Sequence, residues 1–282
     1  MTERVTIAIT DGVADVRLNR SDKRNALDGE MFEAIAAAGE RLRTEAGVRA
    51  VVLSGNGASF CAGLDMSMFR TLADGPGDGA ASGGPGRIEE GRITHLGQQI
   101  CWIWQEIPVP VVAAVHGHAF GGGLQLVLGA DIRIVHPDAQ LSVREVHWGL
   151  VPDMTGTLFL SRLVRPDVAK ELTFTARIVS GMEAAELGLA TRLSANPLED
   201  AMVLATELAG RSPDAVRGAK VLFNRLANAD AAEQFAAERE VIGGLIGRRN
   251  QVEAVTAGFE RRPAAFTDPV VPRPGSGSAG GA

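Results

Sequence analysis

Residues 116–125 read His-Gly-His-Ala-Phe-Gly-Gly-Gly-Leu-Gln. An apolar run at 109–115 leads into this stretch, and a helical pattern at 124–130 leads out of it. Three successive glycines between a buried strand and a helix are costly unless something must come close to the backbone. The first N–H groups of a helix have no intrahelical acceptor, and the helix dipole favours negative charge there. The stretch therefore reads either as half of an oxyanion-binding site or as a tight strand–helix turn.

The other segments limit what can surround it. Residues 5–10 and 13–18 alternate in polarity and are joined by Asp11-Gly12, a hairpin signal. Asp28 is placed to cap a helix that carries Met31, Ile35 and Leu42. A short buried strand at 50–53 runs into Phe60-Cys61-Ala62-Gly63-Leu64-Asp65. Residues 74–86 are mostly Gly, Ala, Pro, Ser and Asp, the composition of a mobile functional loop or a tolerated insertion. An amphipathic helix is expected at 93–107, short strands at 131–135 and 139–143, and helices at 155–164, 166–176 and 182–187. Helical pattern then fills 198–259, and the Pro-, Gly- and Ser-rich tail from 268 is expected to be disordered. Strands alternating with helices, followed by helices alone, predict an α/β core (1–197), a helical C-terminal region (198–267) and a tail (268–282).

Composition excludes several function classes. A formal net charge of −6 gives no electrostatic footprint for nucleic acid or an acidic membrane surface, so neither is expected as a partner. Cys61 and Cys101 are the only cysteines, too few for a disulfide framework, which points to a reducing compartment such as the cytoplasm. The chain starts on an alternating strand pattern rather than a signal peptide, and no apolar run is long enough to span a membrane.

Two glycine-centred turns follow buried strands, Ala62-Gly63-Leu64-Asp65 and Gly121-Gly122-Gly123. If both face one cavity, each can direct a backbone N–H at one oxygen of a thioester enolate or tetrahedral intermediate. Losing one such donor costs about 2.7–4 kcal/mol. Other readings of the glycines lack their context. There is no dinucleotide fingerprint, no Gly-Lys-Ser/Thr after a glycine loop and no Gly-x-Ser-x-Gly elbow. His116-x-His118 has no third ligand at metal-site spacing, so no metal is expected. Cys61 reads as a small buried residue rather than a nucleophile. Asp65 can cap a helix beginning at Met66.

Taken together, Lys23-Arg24-Asn25-Ala26-Leu27, Phe60-Cys61-Ala62-Gly63-Leu64-Asp65, His116 to Gly123, Ala130-Asp131-Ile132-Arg133 and Gly149-Leu150-Val151-Pro152 resemble the crotonase (enoyl-CoA hydratase/isomerase) superfamily, in order along the chain. The resemblance implies a spiral of ββα units, a helical C-terminal part that forms homotrimers or hexamers, and an acyl-CoA ligand. Coenzyme A would enter as part of the substrate, with no separate cofactor. By position, the two oxyanion N–H groups fall on Leu64 and Gly122. The ligand's nucleotide part would lie near Lys23 and Arg24 and could also meet Arg262 and Phe266 of a neighbouring subunit, with Ala62 and Asp65 as further substrate-binding residues. For the cations, solvated surface charge is the competing reading.

Acids and bases decide the reaction. Family hydratases use two glutamates, and the corresponding positions here are Gln125 and Glu145. A glutamine cannot exchange a proton near neutral pH, though it can hold a water or a substrate oxygen. Enoyl-CoA isomerases resemble this pattern in working through the glutamate at the Glu145 position. Dienoyl-CoA isomerases carry a further aspartate where Asp153 falls, but also one where Gln125 stands. The expectation is therefore double-bond isomerisation with Glu145 as base, with hydration despite Gln125, or acyl-CoA binding without catalysis, as alternatives. For Glu145 the competing role is a salt bridge with Arg144 or Arg133, and for Asp153 a helix N-cap. His147 and Trp148 suit either the acyl pocket or an aromatic core.

Overall fold

The computed structural model describes residues 3–68, 93–226 and 249–268. The stretch at 74–86, the part of the helical pattern at 227–248 and the tail from 269 lie outside the described residues. The chain divides into two compact units, one of residues 1–43 and 48–209, the other of 44–47 and 210–282.

The first unit is built on a six-stranded sheet. Strands β1 (Val5–Thr10) and β2 (Val13–Leu18) form the expected hairpin, and Asp11 and Gly12 at its tip both have positive φ. Strands β3 (Ala50–Gly55), β4 (Val111–Val115), β6 (Ile132–Val135) and β9 (Arg192–Leu193) add in parallel, in the order β1-β2-β3-β4-β6-β9. A second, three-stranded sheet joins β5 (His118–Phe120), β7 (Gln140–Ser142) and β8 (Val179–Ser180). The opening motif thus reaches its glycines through a short strand of this second sheet, not directly from the apolar run at 109–115.

Side chains of the central strands alternate between two cores, as the two-residue strand period requires. Val51, Leu53, Val111, Ala113 and Val115 face a large core shared with helices α1 (Gly29–Thr44), α2 (Leu96–Glu106) and α3 (Gly122–Leu128). Ala50, Val52, Val112, Ala114 and Ile134 face a smaller one, closed by Ala201, Leu204, Ala205 and Ala209 of helix α7 (Pro197–Ala209). Helix α7 therefore belongs to the sheet unit. The division falls after Ala209 rather than at the expected 197/198, because a helical pattern shows which face is apolar but not what covers it. Helices α4 (Gly156–Leu163), α5 (Pro166–Thr175) and α6 (Gly181–Leu187) complete this unit. Asp28 caps α1, its Oδ1 accepting from the Met31 N–H at 2.9 Å.

In the second unit, helices α8 (Pro213–Leu226) and α9 (Arg249–Glu260) pack together. Buried Asn250 donates to Asp214 at 2.6 Å and to the Thr267 carbonyl at 2.8 Å, so one amide joins both helices to the following segment. Among the described residues, no helix is long and apolar enough to cross a membrane.

Candidate active site

The two glycine turns are stacked on each other. Residues 61–64 run alongside β5, with the Cys61 N–H donating to the His118 carbonyl at 2.9 Å and the Phe120 N–H to the Cys61 carbonyl at 3.1 Å. Gly63 has φ +88°, and a Cβ there would stand 2.5 Å from the Phe120 carbonyl oxygen, so no side chain fits. Leu27 clamps this turn from the other side. Its N–H donates to the Gly63 carbonyl at 2.8 Å and its carbonyl accepts from Asp65 at 2.9 Å. In such a parallel bridge the intervening Leu64 directs its own N–H away from the partner strand.

Gly121 ends β5 at φ 51°, ψ −121°, a conformation essentially confined to glycine, and donates to the Ser142 carbonyl at 2.9 Å. Gly122 then opens α3. Among the described residues, neither the Leu64 N–H nor the Gly122 N–H meets an acceptor. Both belong to turns whose backbones touch at Gly63 and Phe120.

One turn along α3 from Gly121, the buried Gln125 side chain is fully engaged. Its Oε1 accepts from the Met154 and Gly156 N–H groups, each at 2.9 Å. Two donors on one atom fix it as the oxygen, so the amide orientation follows from the backbone. Nε2 must then face Glu145, and it donates to Glu145 Oε1 at 2.6 Å. Glu145 is itself buried, and its Oε2 has no hydrogen-bond partner among the described residues. Burial, above all, raises the pKa of this carboxyl; its own backbone N–H and the Gln125 amide oppose the rise, and the charge of Asp153 adds to it. Neither Arg133 nor Arg144 pairs with Glu145. Arg133 donates to the carbonyls of Ala130 and Leu189, and Arg144 to that of Ala176.

Asp153 is exposed, in the turn before α4. It does not cap that helix, whose N-cap is Thr155 at φ 71° with no side-chain cap bond. His147 and Trp148 pack edge to face on each other, and both are exposed, so neither belongs to the core.

The expected ligand cations lie on a surface loop. Lys23 ends a 3-10 turn at Ser21–Lys23, and both Lys23 and Arg24 are exposed. The Arg24 carbonyl accepts from the Ala62 N–H at 2.9 Å, which fixes the loop beside the first glycine turn. After burial, the charge of Arg24 is the second cause holding the His118 pKa below its ordinary value.

Asp65 faces inward. It pairs with Arg20 at 2.5 Å, and its Oδ1 accepts from the Ser67 N–H at 2.9 Å and hydroxyl at 2.7 Å. These bonds, those from Ser67 foremost, bring its pKa down to about 2. Helical backbone follows at 66–68, so Asp65 sits as its cap. In the second unit, Arg262 is engaged by Glu253 at 2.6 Å and Glu260 at 2.5 Å, and Phe266 is half-buried.

His116 and His118 direct ring nitrogens to the Gly57 carbonyl at 2.9 Å and the Ser59 hydroxyl at 2.8 Å. Cys61 is fully buried, its thiol pushed up to about 12 by burial, and its Sγ–H donates to the Asn25 carbonyl at 3.1 Å. Two residues that hold the site carry no role in the sequence reading, although Asn25 stands in the motif at 23–27. Asn25 donates to the carbonyls of Asn56, Ser59 and Phe60, and Arg20 ties Asp65 to Asp28. Both lie in a polar loop before a helix, a pattern that does not announce which side chains hold the turns.

The enoyl-CoA hydratase/isomerase family model matches residues 8–269 of the chain. The chain belongs to this family. It is 31% identical over 253 residues to the short-chain-enoyl-CoA hydratase of Clostridium acetobutylicum, covering 89% of this chain and 92% of that protein. It is also 31% identical over 260 residues to the mitochondrial Delta(3,5)-Delta(2,4)-dienoyl-CoA isomerase of Rattus norvegicus, covering 89% and 77%. Among solved structures, an enoyl-CoA hydratase from Bacillus anthracis superposes with a TM-score of 0.83 at 28% identity, covering 93% of this chain and 98% of that one. The crotonase fold and an enoyl-CoA hydratase/isomerase type of enzyme are therefore established for this chain, while relatives of similar identity are named for different reactions.

Proposed function

We propose that this enzyme moves a carbon–carbon double bond in an acyl-CoA thioester, with Glu145 as its proton carrier. One observation carries the reading, the direct 2.6 Å bond from Gln125 to Glu145. Adding water to an enoyl thioester needs one group to take a proton from the attacking water and another to deliver one to Cα. Gln125 can do neither, because its oxygen already accepts two backbone N–H groups and an amide does not titrate near neutral pH. The contact also fills the place where a water would bridge the two side chains.

The proton shift needs only what remains. The thioester carbonyl oxygen accepts from the Leu64 and Gly122 N–H groups. Glu145 Oε2 takes a proton from Cα of a 3-enoyl thioester, and the C–H electrons pass into a dienolate whose charge rests on the carbonyl oxygen. The same carboxyl then returns the proton to the γ carbon, and the double bond settles between Cα and Cβ. A pKa raised by burial makes Glu145 a stronger base in the first step than an ordinary carboxylate, and holds the captured proton on it until the second. Lys23 and Arg24, beside Ala62, suit the phosphates of coenzyme A, and the ligand itself brings all the coenzyme required.

The effect of Asp153 on Glu145 supports a second reading, in which a 3,5-dienoyl thioester is reprotonated further along the chain by Asp153. The test is to incubate the enzyme with 2-enoyl-, 3-enoyl- and 3,5-dienoyl-CoA and identify the products. Conversion of 3-enoyl- to 2-enoyl-CoA is expected, and efficient water addition to 2-enoyl-CoA would overturn the proposal.

A further inference from the structure

The backbone N–H of Met154 bonds Gln125, and its side chain lies against the oxyanion turn. A Cβ built on Gly122 would stand 3.0 Å from Met154 Sδ and 3.2 Å from its Cε, beside Leu27 Cδ1 at 2.9 Å. A Cβ built on Gly97 of α2 would stand 3.6 Å from Met154 Cγ. The thioether therefore fills a slot between two residues without side chains, one of them the residue whose N–H faces the developing oxyanion. Met154 is 8% exposed, and its N–H is fixed to the oxygen of the same Gln125 amide whose nitrogen orients Glu145. The backbone is held still, while three side-chain torsions and a polarisable sulfur let the terminal methyl adjust to what lies beside it.

We infer that Met154 sets the acyl specificity of this enzyme, closing the space beside the reacting carbons so that unbranched acyl groups are accepted and groups substituted at Cα are rejected. The inference rests on the proposed thioester site. An acyl group with its carbonyl oxygen on the Gly122 N–H and its Cα facing Glu145 must pass the thioether. A methyl branch at Cα would compete with the thioether for the space over Gly122, and packing at that density leaves no room for both. In an apolar pocket one methylene is worth about 10–200-fold in discrimination.

The experiment compares binding of butyryl-CoA and 2-methylbutyryl-CoA by calorimetry in the wild type, Met154→Ala, Met154→Val and Met154→Leu. These saturated thioesters have no double bond to move, so binding is read apart from turnover. The wild type should prefer the unbranched ligand. Met154→Ala should shift the ratio of dissociation constants toward the branched ligand by about tenfold or more. Met154→Val should shift it the same way by a smaller factor, and Met154→Leu, of similar volume, should stay close to wild type. If Met154→Ala does not fold, Met154→Val carries the test. A ratio unchanged within about twofold in the truncated variants overturns the role of Met154 and leaves the proposed site standing. Failure of the wild type to bind either thioester overturns the proposed site, and the Met154 assignment with it.

Discussion

In the proposed site, the working groups at the Gly63 and Gly121 turns are backbone N–H donors, held by carbonyls of Leu27, Cys61 and Ser142. Beside them the proposed working groups are side chains, Gln125 on α3 and its partner Glu145, and their geometry is set by what they bond to. The first region gains its precision from residues with no side chain, and its N–H donors do not titrate. The second holds a buried carboxyl with one oxygen satisfied and the other unpaired among the described residues. The two halves should therefore respond differently to pH and to substitution. Unpaired N–H donors are tolerable because water or substrate can meet them, whereas a half-satisfied buried carboxylate weighs against the folded state.

The largest effect should come from Glu145→Gln, with a fall in isomerisation of about 10²–10⁴-fold and acyl-CoA binding retained. The same substitution should make the protein more stable at neutral pH. The folded-state pKa of Glu145 is raised, so the folded chain binds more protons than the unfolded one between the two pKa values. Its contribution to stability is greatest below the ordinary carboxylate range and is lost as pH rises through the raised value. A higher melting temperature for Glu145→Gln at pH 7, with the gain gone at acidic pH, is expected in scanning calorimetry. No gain at pH 7 would show that the carboxylate is compensated, and the contrast between the two halves would fail.

Next in size is Gly121→Ala, which joins the halves. The new Cβ would stand 3.3 Å from Glu145 Oε1 and hold a backbone geometry that costs about 1–3 kcal/mol for a side-chain-bearing residue. Turnover should fall about 10²–10³-fold, comparable to losing an oxyanion donor, with binding of saturated acyl-CoA weakened less. Equal losses in steady-state turnover and in binding would mean that the turn serves only the ground state.

How far this division is readable from the chain depends on which atoms do the work. The β1–β2 hairpin is legible because Asp11-Gly12 states the turn type, and β3 and β4 because their residues are apolar on both faces. Gly63 and Gly121 stand out because the residue type reports a backbone need. Strand β5 is three residues long, too short to show a period, and so escapes notice before the glycines. The partners of Gln125 are the N–H groups of Met154 and Gly156, which any residue but proline carries, so no spacing announces them. The place of α7 on the sheet, and of Met154 against Gly122, arise from packing between segments far apart in the chain.

Gln125→Glu should have a smaller effect on rate and a clearer one on pH. A carboxylate at 125 would accept the same two N–H groups, which favour its charged form, and would face Glu145 Oε1 across the present 2.6 Å contact. The pair cannot hold two charges at that distance, so the proton falls to Glu145. A higher pKa lowers the ionised fraction of the base at any pH near or below it. Isomerisation at neutral pH should fall and recover as pH rises, and some water addition to 2-enoyl-CoA should emerge. An unchanged pH–rate profile would remove Gln125 from the control of Glu145.

Asp65→Ala should have the smallest effect and bears on the backbone half alone. Asp65 caps residues 66–68 and pairs with Arg20, so its loss should cost about 1 kcal/mol in urea unfolding at pH 7. Its folded pKa of about 2 lies below the ordinary 3.8. The stability it contributes is thus fully present above the ordinary value and lost as pH falls toward 2, where wild type and variant should converge. Turnover per folded molecule should stay within a few-fold of wild type, because the Leu64 N–H is placed by Leu27 and by the contact of Gly63 with Phe120. If turnover instead falls sharply while stability at pH 7 is unchanged, the first glycine turn is aimed by a charged pair, and the backbone half depends on side chains as much as the carboxyl half does.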